Sequence, residues 1–418
     1  MKILFLCNFP NAVNSGGHQR LSHLLKAIAA AGEVTLVYPI MHHAIGPDLA
    51  ALKPFCKEVY TFPNESLAFQ RDPRLPRPIF WTKHKLRYLH PVASAFMQQM
   101  RSAEANALVA SICLQRFDLI WCQRISSIQM LPRSLESRVI VDLDDLEHRK
   151  LRTQLKLRKG PPHMIPLQWL EYFKLEKLEH SLHELPYEFA VCSETDRGTV
   201  GTNAKVWVIP NGIDLPAGPT CRERENTEPV LAFVGLMSYE PNADAALFFA
   251  RRVLPLVQRE FPDVKFLIVG RDPTPSVRQL HDGTSIFVTG TVADVAEYLR
   301  SASVVVVPIR FGGGTRIKIL EALAHRKAVV STTTGAEGIE VRSGKHLLLA
   351  DSPEDFAKAC TQLLKDSGLR SRLSEEGFNL VRDRYQWKRI EGMIGDIVLN
   401  GVPPQNTGRL VQVESGRG

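Results

Sequence analysis

The sequence lacks the features that mark several large classes of protein. No uncharged apolar stretch reaches the ~18 residues of a membrane-spanning helix, so we expect none. The apolar run near the first residue is too short for a secretory signal, and no small-residue cleavage site follows it. Seven cysteines are scattered without a C-x-x-C pair, which fits a reducing compartment better than a disulfide framework. We therefore expect a cytoplasmic protein.

Signatures of nucleic-acid binding are also missing, although the chain is basic. The 418 residues include 52 Lys and Arg against 44 Asp and Glu, a formal net charge of +8. No zinc-finger spacing, RNP-like aromatic motif or heptad-plus-basic pattern is present, so we expect no nucleic-acid partner. The excess is local, because seven basic residues and one acidic residue lie within 71–101. This stretch is either a solvated face or a surface that docks onto an anionic membrane or acceptor.

The composition and patterning predict a folded chain with more than one domain. Hydrophobic residues make up 44% and charged residues 23%, as in soluble globular proteins. Short apolar runs alternate with helical periodicity twice, before and after a polar stretch at 214–229. This alternation predicts an α/β protein with two doubly wound parallel sheets. Because ligands bind such sheets at the carboxyl ends of strands, we expect the site in the cleft between the two domains.

The most informative segment is a glycine-rich loop in the second half of the chain. Three glycines at 312–314 follow a predicted strand, and a predicted helix begins near Thr315. Free backbone N–H groups and the positive helix end would face a ligand there, beside the cations of Arg316 and Lys318. These features suit a diphosphate, and Glu321, on the helix face of Lys318, suits a vicinal diol. The alternative is a glycine turn followed by a solvated helical turn.

Two further segments lie at predicted strand ends in the first half of the chain. Gly16 and Gly17 open the first helix and form a second candidate anion or sugar site, although they match neither the nicotinamide-type Rossmann fingerprint nor the P-loop. Asp144 and Asp145 belong to a run of four acids at 142–147. They would orient or deprotonate an acceptor hydroxyl or hold a metal, or else they are a helix cap with first-turn acids. No histidine shows ligand spacing, so we assign no metal.

These motifs give the chain a specific resemblance to a known family. It is similar to glycosyltransferase family 4, a large family of retaining enzymes with the GT-B fold, over nearly the whole chain. The resemblance rests on the junction 208–214, on Phe233-Val-Gly235 and on the segment 312–324. This last segment resembles a subgroup with the motif G-G-G-T-R-x-K-x-L-E-A, which is linked to bacterial exopolysaccharide or envelope glycan synthesis.

The resemblance implies a domain plan. Residues 1–195 would form an acceptor-side Rossmann-like domain, and residues 205–383 would form the nucleotide-sugar donor domain across a cleft. A C-terminal helix at about 384–400 would pack back on the first domain. Residues 401–418 would be a flexible tail.

The resemblance also implies roles for individual residues. Glu321 would bind the ribose hydroxyls of a nucleoside-diphosphate sugar, a co-substrate, and no cofactor is expected. The expected donor-binding residues are Gly16, Gly17, Gly290, Val292, Gly312, Gly313, Gly314, Thr315 and Glu321. The expected catalytic residues are Asp144, Asp145, Arg316 and Lys318.

Two departures from the family pattern alter this picture. The first Glu of the family's E-x7-E motif would fall at position 313, where this chain has Gly313. The basic residues that usually follow Phe-Val-Gly are also absent, and Leu236, Met237 and Asn242 occupy that region. We therefore expect Arg316 and Lys318 to supply the missing cations.

The sequence thus predicts a retaining transfer of sugar from a nucleoside-diphosphate sugar to a hydroxyl of a glycan or lipid-linked acceptor, in polysaccharide biosynthesis. The enzyme would be cytoplasmic and peripheral at the inner face of the plasma membrane, held there through 71–101. Two alternatives stay open. One is a sugar-nucleotide epimerase or hydrolase on the same fold, and the other is a non-catalytic nucleotide-sugar-binding protein.

Overall fold

The computed structural model describes most of the chain. The described residues are 1–7, 16–40, 47–63, 88–90, 94–99, 102–132, 134–156, 162–201, 204–216, 229–312 and 317–401. Arg316 and most of the basic stretch at 71–101 lie outside these ranges, as does the expected tail beyond Gly401.

Within the described ranges, the first half of the chain forms a seven-stranded parallel sheet. Its strands are short runs rich in Val, Ile, Leu and Phe, because helices cover both faces of a parallel sheet. They are β1 (Lys2–Cys7), β2 (Glu33–Ile40), β3 (Glu58–Pro63), β4 (Leu119–Gln123), β5 (Arg138–Asp144), β6 (Glu188–Val191) and β7 (Val206–Val208). The order β3-β2-β1-β4-β5-β6-β7 reverses direction between β1 and β4, where a crevice for ligands opens.

Helices flank this first sheet. They are α1 (Gly16–Ala31), α2 (Pro47–Leu52), α3 (Ala95–Gln99), α4 (Ala103–Ile112), α5 (Glu147–Lys156), α6 (Ile165–His180) and α7 (Glu194–Val200). The periodicity of residues 97–114 predicts one helix, whereas the structure has α3 and then α4. Ser102 separates them, because its extended backbone and its side chain, which accepts a hydrogen bond from the Ala105 N–H, cap the start of α4.

A second parallel sheet, with six strands in the described part of the chain, occupies the second half. Its order is β10-β9-β8-β11-β12-β13. The strands are β8 (Val230–Val234), β9 (Lys265–Val269), β10 (Ile286–Gly290), β11 (Val304–Val307), β12 (Val329–Ser331) and β13 (Leu348–Leu349). Its helices are α8 (Glu240–Phe248), α9 (Leu254–Gln258), α10 (Pro275–Arg278), α11 (Val295–Ser301), α12 (Ile317–Ala324), α13 (Pro353–Lys365) and α14 (Ser367–Leu380). Two doubly wound sheets are therefore present, as the alternating pattern predicts.

The last helix, α15 (Trp387–Asn400), returns to the first sheet. The Trp387 ring stacks on His23 of α1, with ring centroids 4.2 Å apart. Arg138 of β5 donates hydrogen bonds to the carbonyls of Ile397 and Val398, at 2.9 and 3.1 Å. The terminal segment therefore packs beside strands that precede it by more than two hundred residues in sequence.

In the described part of the chain, no helix combines the length and the apolar character needed to cross a membrane.

Candidate functional site

Two adjacent strands of the first sheet end in residues with a left-handed backbone. Arg124 (φ 66°) follows β4, and Asp144 (φ 58°) ends β5. Residues other than glycine seldom adopt this conformation, and it concentrates at functional sites. The Arg124 Nη2 atom lies 3.7 Å from Asp144 Oδ2. The carboxyl edge of the sheet therefore holds a charged pair on strained backbone.

The acids of the 142–147 run separate into different environments. Asp142 is fully buried and forms a two-point ion pair with Arg20 of α1, at 2.6 and 3.0 Å. Arg20 Nη1 also donates to the Ile209 carbonyl and to Asn211 Oδ1, at 2.9 and 3.1 Å. The Asp142–Arg20 pair is therefore structural: it ties α1 to β5, and Arg20 also ties α1 to the segment after β7.

Asp145 directly follows Asp144 and is half-buried. Burial and the negative charge of Asp144 raise the pKa of Asp145 to about 7, and Arg124 acts in the opposite direction. Glu147 begins α5 and lies 3.7 Å from Arg124 Nη1, as expected for an acid in a first helical turn. A carboxyl group with a pKa near 7 exchanges its proton readily at neutral pH, which suits acid–base chemistry.

The second domain approaches this acidic edge. The Glu147 carboxylate raises the pKa of Lys150, and Tyr239 adds to that effect. Tyr239 precedes α8 in the second half of the chain and is 38% exposed. Lys150 and Tyr239, from the two halves of the chain, therefore lie within electrostatic reach of each other.

Lys318 lies in the second domain, where β8 ends and α12 begins. Its Nζ atom donates a hydrogen bond to Asn242 Oδ1 at 2.5 Å and lies 4.8 Å from the centre of the Phe233 ring. Gly235 makes this approach possible, because a Cβ there would come within 2.7 Å of Asn242 Nδ2 and 3.1 Å of Lys318 Nζ. Asn242 therefore holds the Lys318 ammonium against the end of β8, in the region where the sequence lacks the usual basic residues.

Glu321 follows Lys318 by three residues on α12. Burial raises the pKa of Glu321, the Lys318 ammonium lowers it, and Asp294 raises it. The Lys318 ammonium thus acts on the Glu321 carboxylate, as expected if both side chains share one helix face. A half-buried carboxylate at this place accepts hydrogen bonds from hydroxyl groups.

The described members of the remaining expected donor-binding set occupy a strand end, loops and a helix start. Gly290 (φ 70°) ends β10, and a Cβ there would meet no atom within 4 Å, so the loop that continues to half-buried Val292 is open. Gly312 (φ 117°) is buried and needs glycine for its backbone. Gly16 and Gly17 are the first residues of α1. Outside the described residues lie Gly313, Gly314, Thr315 and Arg316.

Reasoning from sequence motifs misses three arginines near the strand ends of the two sheets. Arg20 shares the face of Leu24 and Ile28 on α1, and a lone arginine on an apolar helical face is the signal that would have found it. Arg124 directly follows a strand, as a site residue should. Arg310 lies near the glycine loop, but the two carboxylate oxygens of Asp244 accept its hydrogen bonds at 2.8 and 2.9 Å.

In the described parts of the chain, no group of three or more His, Cys, Asp or Glu side chains is placed to hold a metal ion.

Comparison with known proteins identifies the type of domain and fold. Residues 228–366 match the family described as Glycosyl transferases group 1. A phosphatidyl-myo-inositol mannosyltransferase of Mycobacterium tuberculosis is 30% identical over 199 residues, which cover 44% of this chain and 52% of that protein. The chain thus spans about half the length of this relative. These matches support a glycosyltransferase.

Solved structures resemble the chain over nearly its full length. Sucrose-phosphate synthase of Thermosynechococcus elongatus has a TM-score of 0.63 at 18% identity, and the match covers 95% of this chain and 98% of that one. Anabaena HepE, solved with UDP and glucose, has a TM-score of 0.62 at 16% identity and covers 95% and 99%. The chain has the GT-B fold of two Rossmann-like sheets, so the predicted fold is confirmed.

Proposed function

We propose that this chain transfers a sugar from a nucleoside-diphosphate sugar to a hydroxyl of a glycan or lipid-linked acceptor. The observation that carries the proposal is the grouping of Lys318, Asn242 and Glu321 where β8 ends and α12 begins. A cation and a carboxylate three residues apart on one helix match the two polar parts of a nucleoside diphosphate. The glycosyltransferase family match over 228–366 and the UDP bound to HepE support this choice of ligand.

The departure of the diphosphate sets the electrostatic requirement of the reaction. The bond between the anomeric carbon and the phosphate oxygen breaks, and the electron pair stays on the diphosphate. Lys318, together with Arg316 and the first N–H groups of α12, would stabilise that growing charge. For the configuration to be retained, the acceptor oxygen forms the new bond on the face from which the diphosphate departs, and it gives its proton to Asp145 on the first domain.

Glu321 is expected to bind the two ribose hydroxyls, and this role tests the proposed function. We expect Glu321→Gln to weaken binding of the matching nucleoside diphosphate by roughly tenfold or more, because a charge-assisted acceptor becomes a neutral amide. UDP and GDP would first be compared by thermal shift, since a bound ligand raises stability. Titration calorimetry of both proteins then measures the loss.

A ligand lacking the 2′ and 3′ hydroxyls separates this contact from a general effect. The wild-type protein should bind the dideoxy nucleotide more weakly than the normal nucleotide. Glu321→Gln should bind the two nucleotides with nearly equal affinity. Glu354→Gln, which replaces an exposed residue in the first turn of α13, is the matched control and should bind as wild type does. Equal losses for the dideoxy nucleotide in both the wild type and Glu321→Gln would contradict the ribose contact.

Asp145 is expected to act as the general base, which gives a second prediction. Its pKa of about 7 means that the ionised, proton-accepting form is lost as the pH falls through 7. We expect kcat/KM to rise with pH along a limb centred near 7, and Asp145→Asn to remove that limb with a roughly hundredfold loss of rate.

The pH profile distinguishes a base from a structural carboxylate. The exposed Glu104→Gln variant of α4 should keep the wild-type profile and rate. A wild-type limb near 7 that survives in Asp145→Asn would assign it to another group. Asp144, paired with Arg124, would then be replaced in the same assay.

The finer features of the proposal follow the sequence resemblance. We propose retention of configuration, membership of the family 4 subgroup, and a role in polysaccharide or envelope glycan synthesis. The named lipid substrate of the mannosyltransferase relative supports a lipid-linked acceptor, and the basic stretch at 71–101 supports peripheral attachment at the inner face of the membrane. Donor breakdown without an acceptor would favour the epimerase or hydrolase, and binding without turnover would favour the nucleotide-sugar-binding protein.

A further inference from the structure

Helix α6 exposes large apolar side chains to solvent. Trp169 is 39% exposed, Leu170 is 40% exposed and Phe173 is 57% exposed. Their spacing places them on one side of the helix. We call these three residues the aromatic face of α6. A contiguous exposed group of this size, including a tryptophan, commonly marks a surface that binds something apolar.

The opposite side of α6 holds the helix firmly in this orientation. The Glu171 carboxylate accepts hydrogen bonds from the Ala95 and Phe96 N–H groups at 2.8 and 3.0 Å. Farther along, Glu179 accepts from the Glu147 and His148 N–H groups at 2.9 and 3.2 Å. Rotating α6 to bury its aromatic face would strand two buried carboxylates, so the exposure is built into the fold.

The aromatic face has a defined shape before it meets any partner. The Trp169 ring lies 5.6 Å from Tyr172 in an edge-on arrangement and 6.0 Å from Phe173. Tyr172 is buried beneath them and packs edge-on against Phe173 at 5.2 Å. Little side-chain entropy is therefore left to lose when the face is covered.

Several basic side chains and one acid, Glu176, lie beside this face. Lys177 is exposed one turn beyond Phe173 on the same side. Burial and the Glu176 carboxylate raise the pKa of the Tyr172 phenol and Arg152 lowers it, so the exposed Arg152 of α5 lies within electrostatic reach. Lys174 donates to the Tyr88 carbonyl at 2.7 Å. Through Tyr88 and the start of α3, α6 is hydrogen-bonded to described residues of the stretch 71–101, whose seven basic residues all lie outside the described ranges.

The location of the face relates it to the proposed acceptor site. Glu179 accepts a hydrogen bond from the N–H of Glu147, which begins α5 two residues after Asp145. At about 1.5 Å per residue, Phe173 and Trp169 lie roughly 9 and 15 Å farther along the helix axis. A lipid-linked acceptor anchored beside the aromatic face would need to extend only that far to reach the acidic edge.

We infer that the aromatic face of α6 inserts into the headgroup region of an anionic bilayer and, with its basic surroundings, positions the cleft over a lipid-linked acceptor. The inference rests on the proposed function for the acceptor, but not for the membrane contact. Apolar burial and attraction to anionic lipid together set the strength of such interfacial binding. Neither a second copy of this positively charged face nor a neutral peptide would match its charge.

Tryptophan fluorescence provides a direct test with the full chain. Among the described residues, the other tryptophans are buried, at 0%, 6% and 2% exposure for Trp121, Trp207 and Trp387. In a Trp81→Phe background, vesicles of phosphatidylcholine with roughly 30% phosphatidylglycerol should shift the emission to the blue. Brominated lipid should quench that emission. Absence of both effects would overturn the inference.

Vesicle flotation with matched variants supplies the second measurement. Trp169→Gln with Phe173→Gln should lower the vesicle partition coefficient by roughly tenfold or more, whereas Leu114→Gln, 86% exposed in the same domain, should not. If the double variant, Leu114→Gln and the wild type all have the same vesicle partition coefficient, the inference is overturned. Self-association that the double variant abolishes, without vesicle binding by the wild type, would instead assign the face to a second copy.

Nucleotide binding keeps this result separate from the proposed function. The double variant should bind the nucleotide selected by thermal shift as tightly as the wild type, because the substitutions lie in the first domain and the nucleotide is proposed to bind the second. It should transfer sugar to a soluble acceptor normally and to a vesicle-borne acceptor poorly. Normal nucleotide binding combined with normal vesicle-borne transfer would overturn the inference while leaving the transferase intact.

Discussion

Replacing Arg20 by Met is expected to lower the free energy of unfolding of the first domain by roughly 3–5 kcal/mol, because the substitution leaves the Asp142 carboxylate buried without its partner. Both side chains of this pair are fully inaccessible to solvent. The same change removes the hydrogen bonds to Ile209 and Asn211 that join α1 to the segment leaving β7. Chemical denaturation followed by circular dichroism measures the loss.

A double variant determines whether the unpaired Asp142 charge causes the loss of stability. Asp142→Leu in the Arg20→Met background should recover a large part of the stability, since an apolar pair of similar size needs no ion partner. Lys26 lies on α1, as Arg20 does, and its exposed ammonium pairs with Glu391 of α15. Lys26→Met is therefore the control and should leave the denaturation midpoint unchanged. Failure of the double variant to recover stability would place the loss in the hydrogen bonds to Ile209 and Asn211 instead.

Replacing Lys318 by Met is expected to reduce kcat/KM by about a hundredfold, or roughly 2.7 kcal/mol of transition-state stabilisation. The ammonium is held by Asn242 beside the end of β8, and the variant keeps the length of the side chain without its charge. Arg316→Ala should lower kcat/KM by more than roughly tenfold for the same reason. Steady-state kinetics with the donor identified by nucleotide screening measures both effects.

Two comparisons show whether charge at the diphosphate explains that loss. Lys358→Met removes an exposed lysine of α13 and should leave kcat/KM unchanged. Asn242→Ala should cause an intermediate loss, because Lys318 keeps its charge but loses the group that orients it. Wild-type kinetics in Lys318→Met would remove this residue from the reaction and leave Arg316 as the candidate cation.

The acids at 142–147 show how far local patterns predict a site. The sequence places them at the end of a strand, and the structure agrees. The pattern treats them as one cluster, yet Asp142 forms a buried ion pair with Arg20, which lies 122 residues earlier in the sequence. Asp142 and Asp145 differ in role because different groups surround each carboxylate. The periodicity of the sequence does not predict which groups those are.

Lys318 and Asn242 show the same limit in the other domain. The sequence indicates that the usual cations are missing after Phe-Val-Gly and that Lys318 is a replacement. The amide that orients Lys318 belongs to α8, 76 residues earlier, and is recognisable only after folding brings the two helix starts to the end of β8. Helices α8 and α9 likewise join through a π-helical turn at Phe249–Val253, whereas the periodicity predicts one uninterrupted helix.

By itself, the sequence determined the two parallel α/β sheets, the strand ends where polar groups gather, and the glycines that let a ligand approach. These properties depend on neighbouring residues, since apolar spacing and backbone freedom act over a few positions. The tertiary structure alone decided which charges are paired, that Asp145 has a pKa near 7, and that α6 turns an aromatic side to solvent. Pairing, desolvation and exposure depend on contacts between distant segments, and those contacts exist only in the folded chain.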